Sequence, residues 1–214
     1  NNETLAKMNP DALRVQVRWR LAMPVPEREE LDSIAAVPRH TVRDSGHLVG
    51  VAIPVAPQRF WFESKSGESL PRDASRLCAG RGRMVEYFSL PFRYVFLGNF
   101  LNALLLLHDR GAVLGDVSLQ NVLVGDDASC YLLDLDSAWL GLINAFGAIE
   151  NERFAVAFEH VGFDQRTDFG KFAVVAIKVL GQDSALKTPA SVHSILSAQH
   201  YRVLTRMWEG ETVN

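Results

Sequence analysis

The chain has 214 residues, 48% of them hydrophobic and 22% charged, so it is long enough to bury one sizeable core and should be globular. A formal net charge of -3 and a pI near 6.1 give no general reason to expect a nucleic-acid partner. Two cysteines are too few for a disulfide framework, and the start of the sequence has no signal-peptide features. The apolar run around Leu101 to Leu107 is shorter than the roughly 20 residues of a bilayer span, so we predict a cytoplasmic protein without a membrane span.

The first quarter of the chain predicts one helix and two strands. Apolar residues recur at helical spacing from Glu3 to Val17, although Asn9-Pro10 is able to divide this helix. Val17 to Met23 and Leu48 to Val55 are β-prone. The intervening stretch, Pro24 to Asp44, is rich in proline and charge, which predicts an exposed connection.

Aromatic and basic residues are mixed between Phe60 and Arg83. Aromatics among basic residues can bind single-stranded nucleic acid. On a chain with a net negative charge, we favour a mobile insertion or a loop that docks a partner.

A β-hairpin is predicted between Leu114 and Trp139. Val122 to Val124 is β-prone, Gly125-Asp126-Asp127 has the composition of a turn, and Cys130 to Leu133 supplies the return strand. The preceding stretch, Phe92 to His108, carries a broad apolar stripe at helical spacing. It predicts a helix that packs inside the protein.

Three oxygen-bearing side chains stand at the open end of that hairpin. Asn121 follows Asp116 by five residues, and Asp134 comes directly after the second strand. Magnesium requires oxygen ligands and is usually held by one or two protein side chains together with substrate phosphates. Asn121 and Asp134 are therefore predicted to hold magnesium, which leaves Asp116 to meet a hydroxyl nucleophile.

The order and spacing of these residues resemble the catalytic core of protein kinases, whose loop H-R-D-x-x-x-x-N precedes D-F-G. In this chain the loop reads LGDVSLQN, from Leu114 to Asn121, and the second motif is Asp134-Leu135-Asp136. GDVSLQNVLV and LLDLDSAW resemble more narrowly a bacterial kinase-like group with a G-D-x-x-x-x-N loop and D-x-D-S in place of D-F-G. Leu114 and Gly115 replace the usual His and Arg, so activation by a phosphorylated loop that docks on that Arg is not implied.

The resemblance implies an α+β, protein kinase-like fold with a reduced small β lobe and a mainly helical large lobe. Residues 1–57 would form the truncated small-lobe part, 58–91 an insertion or linker, and 92–214 the large-lobe part. No G-x-G-x-x-G loop and no V-A-I-K-like strand precedes the first helix. We therefore expect either a fragment or a natural protein with a shortened small lobe.

The resemblance also implies roles for residues before and within the core motifs. Glu3 would pair with the phosphate-contacting lysine, unless it is a solvated residue in the first turn of a helix. Ile53, Pro54 and Val55 would contact adenine, unless they end an ordinary edge strand. Asp136 would add a metal contact or bond to a metal ligand.

Further implied roles concern the segment after Trp139, which occupies the position of an activation segment. Glu159 would pair with Arg202 or Arg206 and fix geometry there. The segment contains no Ser, Thr or Tyr from Leu140 to Val161, so phosphorylation within it cannot act as a switch.

The last predicted elements are helical. Phe169 to Leu180 is apolar almost all round, which predicts a buried helix ended by Gly181. By resemblance, Asp168 would hold the backbone of the catalytic loop. The alternative is that Thr167 or Asp168 is an N-cap. Ser191 to Trp208 should supply one or two further helices.

Two functions remain open. The first is phosphoryl transfer from Mg-ATP to a Ser/Thr or other hydroxyl acceptor, with Asp116 as base and Asn121 and Asp134 as magnesium ligands. Small-molecule kinases of the aminoglycoside or choline type share such a loop, so the acceptor class stays open. The second is a pseudokinase or kinase-fold interaction module, which the missing glycine loop and lysine favour. Either implies a protein partner or a hydroxyl substrate.

Overall fold

The computed structural model describes residues 9–78, 88–146, 153–156 and 164–211. These residues form an α+β fold of five α-helices and four two-stranded antiparallel sheets. The helices are α1 (Pro10–Ala22), α2 (Val25–Ile34), α3 (Leu90–Asp109), α4 (Gln165–Gly181) and α5 (Ala198–Trp208). The strand pairs are β1 (His40–Asp44) with β2 (His47–Ala52), β3 (Trp61–Glu63) with β4 (Ser69–Pro71), β5 (Ala112–Val113) with β8 (Trp139–Leu140), and β6 (Val122–Val124) with β7 (Cys130–Leu132). Short 3-10 turns occupy Gln58–Phe60, Ala74–Cys78, Leu135–Ser137 and Pro189–Ile195.

Helix α1 begins where the sequence supplies a cap and ends later than predicted. The Asn9 side chain accepts hydrogen bonds from two N–H groups of the first turn, and Pro10 occupies the first helical position, where its missing N–H costs nothing. The prediction of a strand over Val17 to Met23 is wrong. Val17 is buried one turn after the buried Leu13, so tertiary burial at helical spacing outweighs the β propensity of these residues. Glu3 lies outside the described residues.

The stretch Pro24 to Asp44 is not the exposed connection that its composition predicts. It forms α2 and β1, and Leu31 is fully buried in the main core. Arg20 Nε of α1 donates to Asp32 Oδ1 of α2 over 2.8 Å, which ties the two helices together. The charges that suggested a loop lie on the outer side of a helix that buries one apolar residue.

The aromatic and basic stretch after residue 57 packs into the protein over its described part, which runs to residue 78. Phe60 and Leu77 are fully buried. The guanidinium carbon of Arg76 lies 3.7 Å from the ring centroid of Phe62, a cation–π contact within the segment. Over this described part the aromatic and basic groups are used for internal packing, and the assignment of residues 58–91 as an insertion or linker stays a prediction.

Helices α3 and α4 cross at the centre of the main hydrophobic core. Phe100 of α3 meets Phe172 of α4 edge to face, with ring centroids 5.4 Å apart. Arg93 of α3 is only 5% exposed and donates to the backbone carbonyls of Val179 and Leu180 in the last turn of α4. A cation at this end of α4 also suits the helix dipole. The predicted pair of buried helices is confirmed.

The same core contains residues from all three predicted parts of the chain, among them Leu31, Leu77 and Phe100.

Helix α3 is 20 residues long, which exceeds the predicted apolar run, and its length and composition would allow it to cross a membrane. Its buried face belongs to this core, as in a soluble protein's central helix. The described residues therefore give no clear membrane span.

Both cysteines are free and buried, so the predicted absence of a disulfide framework agrees with the structure. Burial raises the pKa of the Cys78 and Cys130 thiols to about 12. We expect both to resist a thiol reagent such as DTNB at pH 8 in the native protein, because the thiolate fraction is roughly a thousandfold below that of a free cysteine. Rapid native modification would contradict this, and reaction in urea provides the control.

Helix α4 is ended by Gln182 and not, as predicted, by Gly181. Gln182 adopts the left-handed conformation, with φ 52° and ψ 37°, and its N–H donates to carbonyls of the last turn. Gly181 is the last helical residue. A Cβ at this position would meet Cδ1 of Leu186, the end of a side chain that is able to rotate away.

Replacing Gln182 by Gly is expected to raise the free energy of unfolding by about 1 kcal/mol, because glycine adopts the left-handed conformation without a Cβ penalty. The melting temperature should rise by roughly 2–4 °C. Gln182→Ala, the matched control, keeps a Cβ in the left-handed conformation and should not raise the melting temperature. Thermal denaturation checks both, and a loss of stability in Gln182→Gly would contradict this assignment.

Candidate active site

The site is built on the predicted hairpin, which the structure contains. Its register pairs Val122 with Leu132 and Val124 with Cys130, and all six strand residues are buried. The Leu133 N–H donates to the Asn121 carbonyl over 2.8 Å, which extends the pairing by one residue. Asn121 and the residue before Asp134 therefore lie opposite each other at the open end of the hairpin.

The segment that was expected to be an insertion supports this loop and hairpin from the side. The Ala74 N–H donates to the Leu119 carbonyl over 3.0 Å, and the Val124 N–H donates to the Arg72 carbonyl over 2.9 Å. The first bond holds the loop near its end at Leu119, and the second holds strand β6 of the hairpin. The position of the loop thus depends on residues that no local pattern connects to it.

Asn121 and Asp116 contact each other directly. Asn121 Nδ2 donates to the Asp116 carbonyl oxygen and to Asp116 Oδ2, each over 3.0 Å. The amide nitrogen is thereby engaged, so the amide oxygen of Asn121 is the atom that remains for a cation. Asp116 Oδ1 is buried and has no hydrogen-bond partner among the described residues. A buried acceptor of this kind needs a donor, such as a substrate hydroxyl.

Asp134 is held in a conformation that few residues adopt. Its φ of 56° and ψ of 34° lie in the left-handed region, which Asp tolerates better than most non-glycine residues. Such backbone strain concentrates at functional sites. Partial burial raises the pKa of the Asp134 carboxyl, and the negative charge of Asp116 raises it further, so the two carboxylates lie near enough to repel each other.

Asp136 extends this acidic group. Burial raises the pKa of the Asp136 carboxyl, and the charge of Asp134 adds to that rise, while hydrogen bonds from the N–H groups of Asp136 and Ser137 oppose it. Among the described residues, no group of three or more His, Cys, Asp or Glu side chains could hold a metal ion. A cation here would need the Asn121 oxygen and phosphate oxygens in addition to carboxylates, which is the usual composition of a magnesium site.

Asp168 fixes the backbone that leads into Asp116. It is fully buried, and its two carboxylate oxygens accept hydrogen bonds from the N–H groups of Leu114 and Gly115, each over 2.8 Å. His108 Nε2, at the end of α3, lies 2.8 Å from Asp168 Oδ2. One buried carboxylate thus joins α3, α4 and the loop.

The alternative that Thr167 or Asp168 caps α4 is wrong. Asp164 is the N-cap, and its side chain accepts hydrogen bonds from the N–H groups of Arg166 and Thr167. The Asp164 N–H donates to Thr167 Oγ1, which completes a capping box. Asp168 is therefore left to face the loop.

Lys171 holds the same peptide from the other side and was not predicted. It is 1% exposed, and its Nζ donates to the Gly115 carbonyl over 2.8 Å. Gly115 has a φ of 76°, which favours glycine. Lys171 lies three residues after Asp168, on the same face of α4. A lysine within the apolar stretch of a buried helix, three residues after Asp168, was the available sequence signal.

Gln16 joins α1 to the acidic segment and was also missed. It is 3% exposed, and its Nε2 donates to the backbone carbonyls of Asp136 (2.8 Å) and Ala138 (3.1 Å). Gln16 lies within the predicted helix from Glu3 to Val17, but its partners are backbone carbonyls 120 and 122 residues away, which no local pattern reveals.

An open cleft of about 340 Å³ lies beside Asp116. It is lined by Asp116, Ser118, Gln120, Asn121 and Arg153. Arg153 was not predicted, because it belongs to the segment after Trp139 and lies 32 residues beyond Asn121 in the sequence. Arg153 and residues of the predicted catalytic loop line the same cleft.

The remaining predicted residues lie elsewhere. Ile53, Pro54 and Val55 follow β2, which ends at Ala52, and they are not among the residues that line the cleft. Ile53 is 45% and Val55 79% exposed, so their role in adenine binding stays a prediction.

The resemblance also implies an ion pair between Glu159, after the hairpin, and an arginine of α5. Glu159 lies outside the described residues. Its proposed partner Arg206 places Nε 2.7 Å from Glu211 Oε2, near the end of α5. The pairing of Glu159 therefore stays a prediction.

Comparison with known proteins found no protein-family model that matches the chain and no curated protein that matches it significantly. The functional argument therefore depends on the geometry of the loop, the hairpin and the cleft.

Proposed function

We propose that this protein is a kinase-like phosphotransferase that binds Mg-ATP and transfers a phosphoryl group to a hydroxyl acceptor. The observation that carries the proposal is that Asp116 and Asn121 are bonded to each other beside a polar cleft, and that the charge of Asp116 acts on the Asp134 carboxyl. A purely structural hairpin has no need for repelling carboxylates at its open end.

The proposed fold is that of a kinase with a reduced small lobe. The order of elements supports it: buried helix α3, the loop with Asp116, hairpin β6–β7, the acidic segment at Asp134, and buried helix α4. Asp168 bonds from α4 to the loop backbone, as the resemblance implies. A cytoplasmic location, where Mg-ATP is available, belongs to the same proposal.

Each polar residue has a defined part in the proposed reaction. The Asn121 amide oxygen and the Asp134 carboxylate would hold Mg²⁺, which supplies neutralisation of phosphate charge when bound. The Asp116 carboxylate accepts a hydrogen bond from the acceptor hydroxyl and takes its proton as the acceptor oxygen bonds to phosphorus and the bond to ADP breaks. Asp168 and Lys171 keep the Asp116 backbone in place through Gly115. The chemistry is positioning and electrostatics.

The second candidate is a kinase-fold interaction module without catalysis. The observation in its favour is that Lys171, the lysine that contacts the loop, is buried and donates to the Gly115 carbonyl, so it is not placed to contact a phosphate. Lys65 lies between β3 and β4. Such a module has no use for Mg-ATP, so nucleotide binding separates the two functions.

The test is a thermal shift with Mg-ATP on the wild-type chain and on Asp134→Asn, which keeps a side chain that tolerates the left-handed conformation. Ligand at 100 times Kd is expected to add about 2.7 kcal/mol of stability to the wild type. Asp134→Asn should lose most of this gain because a magnesium ligand loses its charge. Glu63→Gln, on β3, serves as control. No shift at millimolar Mg-ATP would contradict the proposal and favour the interaction module.

A further inference from the structure

The cleft beside Asp116 has an unusual lining for a small-molecule site. Ligand pockets are generally lined mainly by apolar side chains, whereas the five described residues that line this cleft are polar or charged. Its volume of about 340 Å³ lies near the lower end of the range for small-molecule sites. The cleft therefore suits a small, polar occupant better than an apolar one.

The cleft meets the proposed metal position at one edge. Asn121 lines it together with Asp116, whereas Asp134 and Asp136 are not among the described residues of its lining. Under the proposed function, the nucleotide phosphates belong with the metal, near Asp134. The cleft is then the space on the acceptor side of Asp116.

Charge is divided across this region. On one side, burial and then the charge of Asp116 raise the pKa of Asp134, and burial and then the charge of Asp134 raise the pKa of Asp136. On the other side stands Arg153, the one cation among the described residues that line the cleft. An occupant with a hydroxyl at one end and an anionic group at the other would match this division.

We propose that the acceptor is a small hydroxyl compound that carries a carboxylate or a phosphate, and that Arg153 binds this anionic group while Asp116 receives the hydroxyl. A guanidinium binds such groups with two parallel hydrogen bonds, which fixes orientation as well as position. The Ser118 hydroxyl and the Gln120 amide offer further hydrogen bonds along the cleft. The inference rests on the proposed function for the role of the hydroxyl, whereas the anion site is testable without catalysis.

The experiment compares glycerol 3-phosphate, glycerol and inorganic phosphate as probes by isothermal calorimetry on the full chain. We expect glycerol 3-phosphate to bind at least tenfold more tightly than either of the others. Arg153→Gln should abolish that preference, Arg153→Lys should retain part of it, and Arg43→Gln, on β1, should leave it intact. Equal binding of glycerol and glycerol 3-phosphate, or unchanged binding in Arg153→Gln, would overturn the inference. Inorganic phosphate that binds as tightly as glycerol 3-phosphate would overturn the role of the hydroxyl.

A thermal shift with Mg-ATP on the same variants separates this inference from the proposed function. Wild-type stabilisation by Mg-ATP that persists in Arg153→Gln supports an acceptor role for Arg153. Loss of that stabilisation in Arg153→Gln assigns the arginine to the nucleotide and overturns the inference. Stabilisation by Mg-ATP without Arg153-dependent binding of glycerol 3-phosphate contradicts the inference alone. Binding of glycerol 3-phosphate through Arg153 without any effect of Mg-ATP supports the anion site and contradicts the proposed phosphoryl transfer.

Discussion

Asp168→Ala is expected to lower the free energy of unfolding by about 3–5 kcal/mol, the range for removal of one partner from a buried charged network. The carboxylate is fully buried and accepts bonds from Leu114, Gly115 and His108. Its loss leaves two buried N–H groups without an acceptor and removes the contact between α4 and the loop. The melting temperature should fall by roughly 6–20 °C.

The matched control for Asp168→Ala is Asp164→Ala, four residues earlier on the same helix. Asp164 is a partly exposed N-cap, and removal of a cap typically costs about 1 kcal/mol. Urea denaturation measures both variants. Equal losses in the two would show that Asp168 acts only as a residue of the first turn of α4, and would contradict its role in positioning the loop.

Asp116→Asn is expected to lower the rate of phosphoryl transfer by roughly 10²–10⁴, the contribution of a positioned general base. The Asn121 amide still has the Asp116 backbone carbonyl as acceptor, so the loop should keep its shape. Binding of Mg-ATP should therefore persist in the variant, because Asp116 is not one of the proposed magnesium ligands.

The measurement for Asp116→Asn is product analysis after incubation with ATP labelled at the γ-phosphate, with glycerol 3-phosphate as the trial acceptor and release of labelled phosphate to water as the second readout. Glu63→Gln should transfer at the wild-type rate. A wild-type rate in Asp116→Asn would remove the base from the mechanism, while a loss of Mg-ATP binding would place Asp116 among the metal ligands.

Local patterns in the sequence predict the elements that carry the site. The β-prone run Val122 to Val124, the turn that follows it, and the apolar stripes of α3 and α4 are each determined within a few residues of the chain. The sequence alone therefore predicts that Asn121 and Asp134, at the ends of these elements, lie near each other.

Contacts between distant segments could not be predicted in the same way. Gln16 bonds to a carbonyl 120 residues away, and Lys171 bonds to one 56 residues away. Each is a single polar residue whose partner is a backbone group, and backbone groups leave no signal in the sequence. Arg153 reaches the cleft through a segment without periodicity, so only the fold reveals its position.

The wrong predictions have a common physical cause. Val17 to Met23 and Pro24 to Asp44 were assigned from local propensity and composition, and burial against the rest of the protein outweighed both. Gln182, and not Gly181, adopts the left-handed conformation that favours glycine. Tertiary packing decided each of these positions.

The central claim is that Asn121 and Asp134 hold a divalent cation together with ATP, and binding of Mn²⁺ followed by electron paramagnetic resonance tests it most directly, because Mn²⁺ accepts the same oxygen ligands as Mg²⁺. Titration of the wild-type chain with Mn²⁺ should show weak binding alone and at least tenfold tighter binding with ATP. Asn121→Ala and Asp134→Asn should each lose that enhancement, while Glu63→Gln retains it. Equal Mn²⁺ affinity with and without ATP, or an enhancement that survives in both site variants, would contradict the account.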